Sequence, residues 1–282
     1  MEPSPLFTAL TAYAATCGWQ YIYPVWSRRA DGLSIGINLH PNHCCNWHCI
    51  YCQIPGLQRG PSPLIDSRRL QVELTDCLDW LSHHLSPTLT MQDSVQDIAF
   101  AGDGEPTTSP QFVEVLLMVA NLLQARQSHD RPATVRLITN GSQCQHAHVQ
   151  HALKLLSGMG GEVWFKLDAG NDAEMQAINA SHLPLGLHMQ RLHTCCSICP
   201  TWVQTAIVSR TLGEKTVTTP SLPEYLQVLV PLKAHIQGVL LYGIARPSQQ
   251  DTQGCILRTT EAMLRRYEEG LRTQGFRVRM FA

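Results

Sequence analysis

The chain has 282 residues, with 21 Lys plus Arg against 22 Asp plus Glu and a net charge of -1. This length accommodates one large α/β barrel domain or two small domains. The charge balance gives no overall electrostatic footprint for a nucleic-acid or membrane surface, and no apolar run reaches the length of a membrane span.

Residues 1–30 read as an amino-terminal extension with little to define them. Its opening, Met1-Glu2-Pro3-Ser4-Pro5, lacks the basic-then-apolar layout of a secretory signal, which points to a soluble cytoplasmic protein. Residues 33–39 read as a first strand, followed by a Pro- and Gly-rich stretch over 55–63 and a helical pattern over 67–84. Residues 97–101 form a short buried strand ending in Gly102-Asp103-Gly104-Glu105-Pro106, and 111–127 an apolar helix. A third strand at 134–139 closes on the turn signal Asn140-Gly141. A helix over 146–156 leads to a fourth strand at 162–168, and a helical region over 173–192 leads to a fifth at 202–208. A helix over 222–235 precedes a sixth strand at 238–243. The tail over 259–274 is an amphipathic charged helix, and 275–281 a last short strand.

Strands alternating with helices imply βαβ units and a parallel sheet. Six such units suit an open, partial (βα)6 barrel of TIM-like design better than the closed eight-fold one. The core domain is expected over 31–250, with the carboxy-terminal helix and strand of 251–282 completing it.

Eleven cysteines in a reducing compartment are not a disulfide framework, so the clustered ones read as metal ligands and isolated Cys17, Cys77, Cys144 and Cys255 as small buried apolar residues. Cys45, Cys49 and Cys52 have the spacing C-x3-C-x2-C directly after the first strand. Three thiolates can hold three irons of a cubane [4Fe-4S] cluster, leaving the fourth iron open to a small molecule. In parallel α/β folds ligands collect at the carboxyl ends of the strands. The cysteine loop, Gly102 to Glu105, Asn140, Lys166, Asp168 and Arg246 all fall there.

With those residues in place the chain resembles the radical S-adenosylmethionine (radical SAM) superfamily. The match rests on Cys45-x3-Cys49-x2-Cys52, on aromatic Tyr51 before the last cysteine, and on Gly102-Asp103-Gly104-Glu105-Pro106, where Asp103 splits the usual glycine pair. Ser27-Arg28-Arg29, the run 35–39, Tyr51-Cys52-Gln53 and Gly104-Glu105-Pro106-Thr107 are similar to a branch of iron–sulfur oxidoreductases related to wyosine-base enzymes.

The resemblance implies that Cys45, Cys49 and Cys52 hold a [4Fe-4S] cluster whose open iron is chelated by S-adenosylmethionine. Reductive cleavage would give methionine and a 5′-deoxyadenosyl radical that takes hydrogen from a substrate, the cofactor supplying the chemistry and the protein its orientation. Glycines after the second strand would admit the methionine moiety, and Glu105 would accept a bond from its ammonium. Tyr51 would lie near the adenine, with Asn140, Lys166 or Asp168 at the ribose hydroxyls or carboxylate. An external one-electron donor such as a flavodoxin or ferredoxin is implied. The substrate is open between a tRNA base, a peptide and a small molecule.

Other readings stand beside these. A non-catalytic iron–sulfur or zinc module on the same barrel is the alternative from another class; zinc would need a fourth ligand from Cys44, His43 or His48. Cys195, Cys196 and Cys199 read first as buried small residues and second as auxiliary-cluster ligands completed by Cys255. Lys166 is either a Schiff-base lysine or, more simply, the ion-pair partner of Asp168. Arg246 is either a clamp for a phosphate or carboxylate or a structural ion pair. Arg28 and Arg29 read as surface charges, with RNA phosphate as the lesser alternative. The thirteen histidines show no metal spacing, and the arginines of the tail alternate with glutamates as a solvated helix face.

Overall fold

The computed structural model describes residues 3–84, 95–126, 133–244 and 246–281. The amino-terminal segment carries more structure than its sequence announced. Helix α1 (Pro5–Cys17) starts at Ser4, whose hydroxyl accepts from the Phe7 N–H, and stops at Gly18 with φ +65°. A side-chain cap at one end and a left-handed glycine at the other satisfy terminal groups that the helix itself leaves open. Strand β1 (Ile22–Ser27) then pairs antiparallel with β2 (Gly32–Ile37).

The cysteine loop follows, held by a two-residue ladder between β3 (Cys44–Cys45) and β4 (Gln58–Arg59). Next come α2 (Ser67–His84), β5 (Val95–Phe100), α3 (Phe112–Ala125), β6 (Thr134–Thr139), α4 (Ala147–Gly158) and β7 (Glu162–Lys166). The expected helix over 111–127 therefore ends at Ala125, and Gln127 lies outside the described residues. The single helical region expected over 173–192 is two helices, α5 (Asp172–Asn179) and α6 (Leu185–Ile198), separated at Ala180, which takes φ +48°. The fifth strand is longer than expected: β8 (Thr201–Leu212) runs past Val208 and turns at Gly213 into β9 (Lys215–Thr219). Helix α7 (Leu222–Leu229) passes into a 3-10 turn at Val230–Leu232, because Pro231 cannot donate to an α-helical ladder. Strand β10 (Gly238–Gly243), the short β11 (Ile256–Leu257), α8 (Glu261–Thr273) and β12 (Val278–Phe281) complete the chain.

The main sheet runs β1-β2-β5-β6-β7-β8-β10-β12. Its neighbours from β2 to β12 are all parallel, with antiparallel β1 at one edge, and it curls into a partial barrel of eight strands. Alternation along each strand separates two environments. On β7, Val163 and Phe165 turn outward into a core shared with Leu153 and Leu156 of α4 and Leu192 of α6. Trp164 turns inward, where it meets Trp202 of β8 and Leu240 of β10. The concave lining is thus partly aromatic and partly charged, and the functional loops crown its carboxyl end. Among the described residues, no helix is long and apolar enough to cross a membrane.

Candidate functional site

Cys45, Cys49 and Cys52 come together in a second apolar cluster with Trp47 and Tyr51, packed against Met175 and Ile178 of α5 and Ala206 and Val208 of β8. Cys49 is 9% exposed. The loop is tied to the barrel by its backbone: the His48 and Ile50 N–H groups donate to the carbonyls of Asn179 and Ile178 at 3.1 and 2.9 Å. Ser248 Oγ donates to the Ile50 carbonyl at 2.6 Å, and the Gln249 N–H donates to that of Cys52 at 3.0 Å.

Two of the sulfurs receive hydrogen bonds. The Trp47 N–H donates to Cys45 Sγ at 3.5 Å, and Asn179 Nδ2 donates to Cys49 Sγ at 3.3 Å. Burial pushes the Cys45 thiol up to about 12, and burial likewise raises Cys49. These groups are thiols in the metal-free chain, and a bound metal would have to displace their protons. Among the described residues, no three His, Cys, Asp or Glu side chains converge closely enough to grip one metal ion. A structural zinc needs four ligands at about 2.0–2.3 Å from a single centre, whereas a cubane takes one thiolate per iron. Cys44 stands apart from the other three, its sulfur packed against Gly60.

Below the loop lies a buried polar chain. Lys166 Nζ donates to the Tyr51 hydroxyl, which in turn donates to Asp168 Oδ2. Asn179 Nδ2 also donates to Asp168 Oδ2 at 3.0 Å, and the Ala206 N–H donates to Oδ1 at 2.8 Å. Lys166 Nζ is 3.7 Å from Asp168 Oδ2 and 4.5 Å from the centre of the Tyr51 ring. Burial opposes its charge, yet Tyr242, Asp168 and the cysteines together push its pKa upward. Of the two sequence readings of Lys166, the ion pair is the one present.

Glu105 is buried, and its carboxylate accepts from the Thr107 N–H and hydroxyl, the Thr139 hydroxyl and the Asn140 N–H, the last two at 2.6 Å each. These bonds clasp the loops after β5 and β6 together, with Oε2 taking only the Asn140 N–H. Gly104 is forced by packing, since a Cβ there would lie 2.3 Å from the Cys44 carbonyl. Gly102, at φ +132°, would place one 2.5 Å from Asn38 Oδ1. Asp103, the departure from a glycine pair, accepts from Asn38 Nδ2 at 2.9 Å. Asn140 Nδ2 donates to Asn46 Oδ1 at 2.9 Å, joining the loop after β6 to the cysteine loop.

The structure therefore gathers Cys45, Cys49, Cys52, Tyr51, Lys166 and Asp168 into one site, with Asn140, Gly102, Asp103, Gly104 and Glu105 along its rim. Sequence reasoning missed Asn46 and Asn179. Asn179 carried no signal, because it sits in a region read only as helical.

The other cysteines sort differently. Cys195 and Cys199 are buried at the end of α6, and the sulfur nearest Cys195 is that of Cys144, at 3.0 Å, rather than that of Cys255. Cys255 instead donates to Asp251 Oδ1 at 3.2 Å. Cys77 and Cys144 are buried as expected, while Cys17 is exposed at the end of α1. Arg28 is exposed, but Arg29 is half-buried and reaches into the barrel, contrary to its reading as a surface charge.

No family model matches the chain. A radical SAM methyltransferase from Sphaerobacter thermophilus superposes with a TM-score of 0.60 at 13% identity, over 89% of this chain and 66% of that one. The fold is that of the radical SAM enzymes. TYW1, a wyosine-base enzyme solved with a lysine–pyruvate adduct bound, superposes with a TM-score of 0.53 at 10% identity, over 86% of this chain and 74% of its own. Radical SAM enzymes use a [4Fe-4S] cluster and S-adenosylmethionine. Among curated proteins, the GTPase Obg of Brachyspira hyodysenteriae is 30% identical over 148 residues, 52% of this chain. The chain spans 19% of the length of that relative. These 282 residues contain no G-x-x-x-x-G-K-S/T phosphate loop.

Proposed function

We propose that the chain is a radical SAM enzyme in which Cys45, Cys49 and Cys52 hold a [4Fe-4S] cluster. The observation that carries this reading is that the three thiols and Tyr51 belong to one apolar cluster packed on α5 and β8 of a barrel with the radical SAM fold. When bound, the cluster and S-adenosylmethionine together supply a 5′-deoxyadenosyl radical able to take hydrogen from an unactivated carbon.

The residues of the chain do the rest. The Trp47 N–H and Asn179 Nδ2 donate to two of the sulfurs, and such donors tune a cluster's potential. Trp47, Met175, Ile178 and Val208 keep water from the loop. Asp168 orients Tyr51 and Lys166 and fixes the height of the loop over the lumen. Glycines 102 and 104 let the rim pack closely against Asn38, His40 and the Cys44 carbonyl. Electrons would come from a flavodoxin or ferredoxin. TYW1 has been solved with a lysine–pyruvate adduct, but Lys166 here is engaged as a donor to Tyr51 and a partner of Asp168, which does not favour it as a free amine nucleophile.

Anaerobic reconstitution with iron and sulfide, followed by reduction in the presence of S-adenosylmethionine, tests the reading. The expected products are 5′-deoxyadenosine and methionine. Cluster-loaded protein that forms neither would return the chain to the binding-module alternative. Comparing modified nucleosides in tRNA from cells with and without the gene tests a tRNA-base substrate, and an unchanged profile removes it.

A further inference from the structure

Two of the cations facing the barrel lumen are ion-paired, while Arg279 lies over the Trp202 ring, 4.5 Å from its centre. Arg136 donates through Nε to Glu162 at 2.6 Å and through Nη1 to Asp97, with its guanidinium 4.7 Å from the centre of the Trp164 ring. Lys166 has Asp168. Arg29 forms no ion pair with any carboxylate among the described residues.

Its position is set by the hairpin between β1 and β2. Because β1 is antiparallel to β2, that turn lies at the amino ends of the parallel strands and closes the floor of the barrel. Ala30 packs there against Trp164, Trp202 and Leu240. From the floor Arg29 reaches up into the lumen. Its Nη1 donates to buried Gln204 Oε1 at 2.5 Å, and its guanidinium lies 4.9 Å from the centre of the Tyr242 ring and 5.7 Å from that of Trp164. Gln204 is the register partner of Lys166 on β7 and of Leu240 on β10, so Arg29 points at the level where the site begins.

This half-buried guanidinium bonds one amide oxygen and lies against two rings, with no ion pair to a carboxylate among the described residues. Its planar fork matches carboxylate and phosphate oxygens. Burial, and after it the charges of Arg29 and Arg246, hold the Arg28 pKa down, so the three guanidinium groups lie within reach of one another.

We propose that Arg29 anchors the anionic group, a carboxylate or phosphate, of a small-molecule substrate held inside the barrel, with Arg28 and Arg246 drawing it in. This rests on the radical SAM reading of the same lumen and narrows its substrate class.

The test uses cluster-loaded protein under anaerobic conditions, titrated with inorganic phosphate, with acetate and, for ionic strength, with chloride. Trp164 and Trp202 beside the anchor make tryptophan fluorescence the readout. A saturable change with phosphate or acetate, absent with chloride, is expected, and the more effective of the two identifies the substrate's group. Arg29→Gln should weaken that binding by about tenfold or more, and Arg29→Lys, which keeps the charge but loses the fork, by a lesser factor. No saturable response in the wild type overturns the proposal, as does equal binding by wild type and Arg29→Gln. Should Arg29→Gln fail to fold, Arg29→Lys binding as tightly as the wild type has the same force. Formation of 5′-deoxyadenosine by the wild type is scored separately: anion binding without it preserves the Arg29 site and removes the radical reading.

Discussion

Tyr51 donates its phenolic hydrogen to Asp168 Oδ2 and accepts from Lys166 Nζ, and the two bonds fasten the cysteine loop to the carboxyl end of β7. Asp168 is buried and accepts from four directions if Lys166 is counted, so the loop inherits the rigidity of β7, β8 and α5 together. Asp168→Asn would set an amide N–H against the Tyr51 hydroxyl and Asn179 Nδ2 and leave Lys166 without its counter-charge. Breaking one partner of such a buried pair costs about 3 kcal/mol, or roughly 6–12 °C in Tm for a chain of this size. The variant is expected to melt earlier and to retain less iron after desalting. Unchanged melting and iron content would show that the bond does not hold the loop.

Gly104 offers a test by crowding. A methyl group there would lie 2.3 Å from the Cys44 carbonyl and 2.5 Å from the His40 ring. Neither neighbour moves freely, since Cys44 belongs to the β3–β4 ladder and His40 Nε2 is bonded to Thr108 Oγ1 at 2.9 Å. Gly104→Ala should therefore displace the rim beside the cysteine loop, costing about 1–3 kcal/mol by overpacking, and weaken S-adenosylmethionine binding measured by equilibrium dialysis. Binding at wild-type strength would place the ligand elsewhere.

The parallel strands were legible because a buried parallel strand is a nearly continuous apolar run, and residues 98–100 and 238–243 carry that pattern. The cysteine loop was legible because its spacing is local. What escaped was set by tertiary contact. Residues 22–27 gain strand structure by pairing with β2, and the Thr- and Lys-rich β9 lies exposed against the end of β8, where no apolar alternation marks it. The bonds from Thr139 and Asn140 to Glu105 escaped the sequence because they join two loops that meet only in three dimensions. Arg29 read as surface charge because nothing local reveals that the β1–β2 turn closes the barrel floor.

The cysteines divide into sets with different expected behaviour. Cys45→Ser, Cys49→Ser or Cys52→Ser should each abolish a stable cluster, since a cubane normally takes one thiolate per iron. Cys44→Ser should keep it, because that sulfur faces Gly60. Cys195→Ala and Cys199→Ala remove groups buried in the outer core beside Cys144 and Gly161, and should cost stability without changing iron content, near roughly four irons per chain. A fall in iron and sulfide to a lower plateau in these last variants would instead reveal an auxiliary cluster at α6.

His188 carries a pH dependence of definite sign. It is buried at the base of α6 with Nε2 2.8 Å from the Lys166 carbonyl, its ring against Phe165 and Trp47. Burial holds its pKa down to about 4, with Arg191 acting in the same direction and the Lys166 carbonyl and Asp168 opposing. The folded value lies below the unfolded 6.5, so the neutral ring contributes its full stability above about pH 6.5, and that contribution is lost progressively as pH falls towards 4. The total is about 3 kcal/mol. His40 is also held near 4 by burial, so the two sites add in the wild type. Urea unfolding free energies measured between pH 7.5 and 5, where both proteins remain folded, should fall more steeply for the wild type than for His188→Gln, by the uptake of up to one proton on unfolding. Parallel curves for the two proteins would mean that His188 already titrates in the folded chain as it does in the unfolded one.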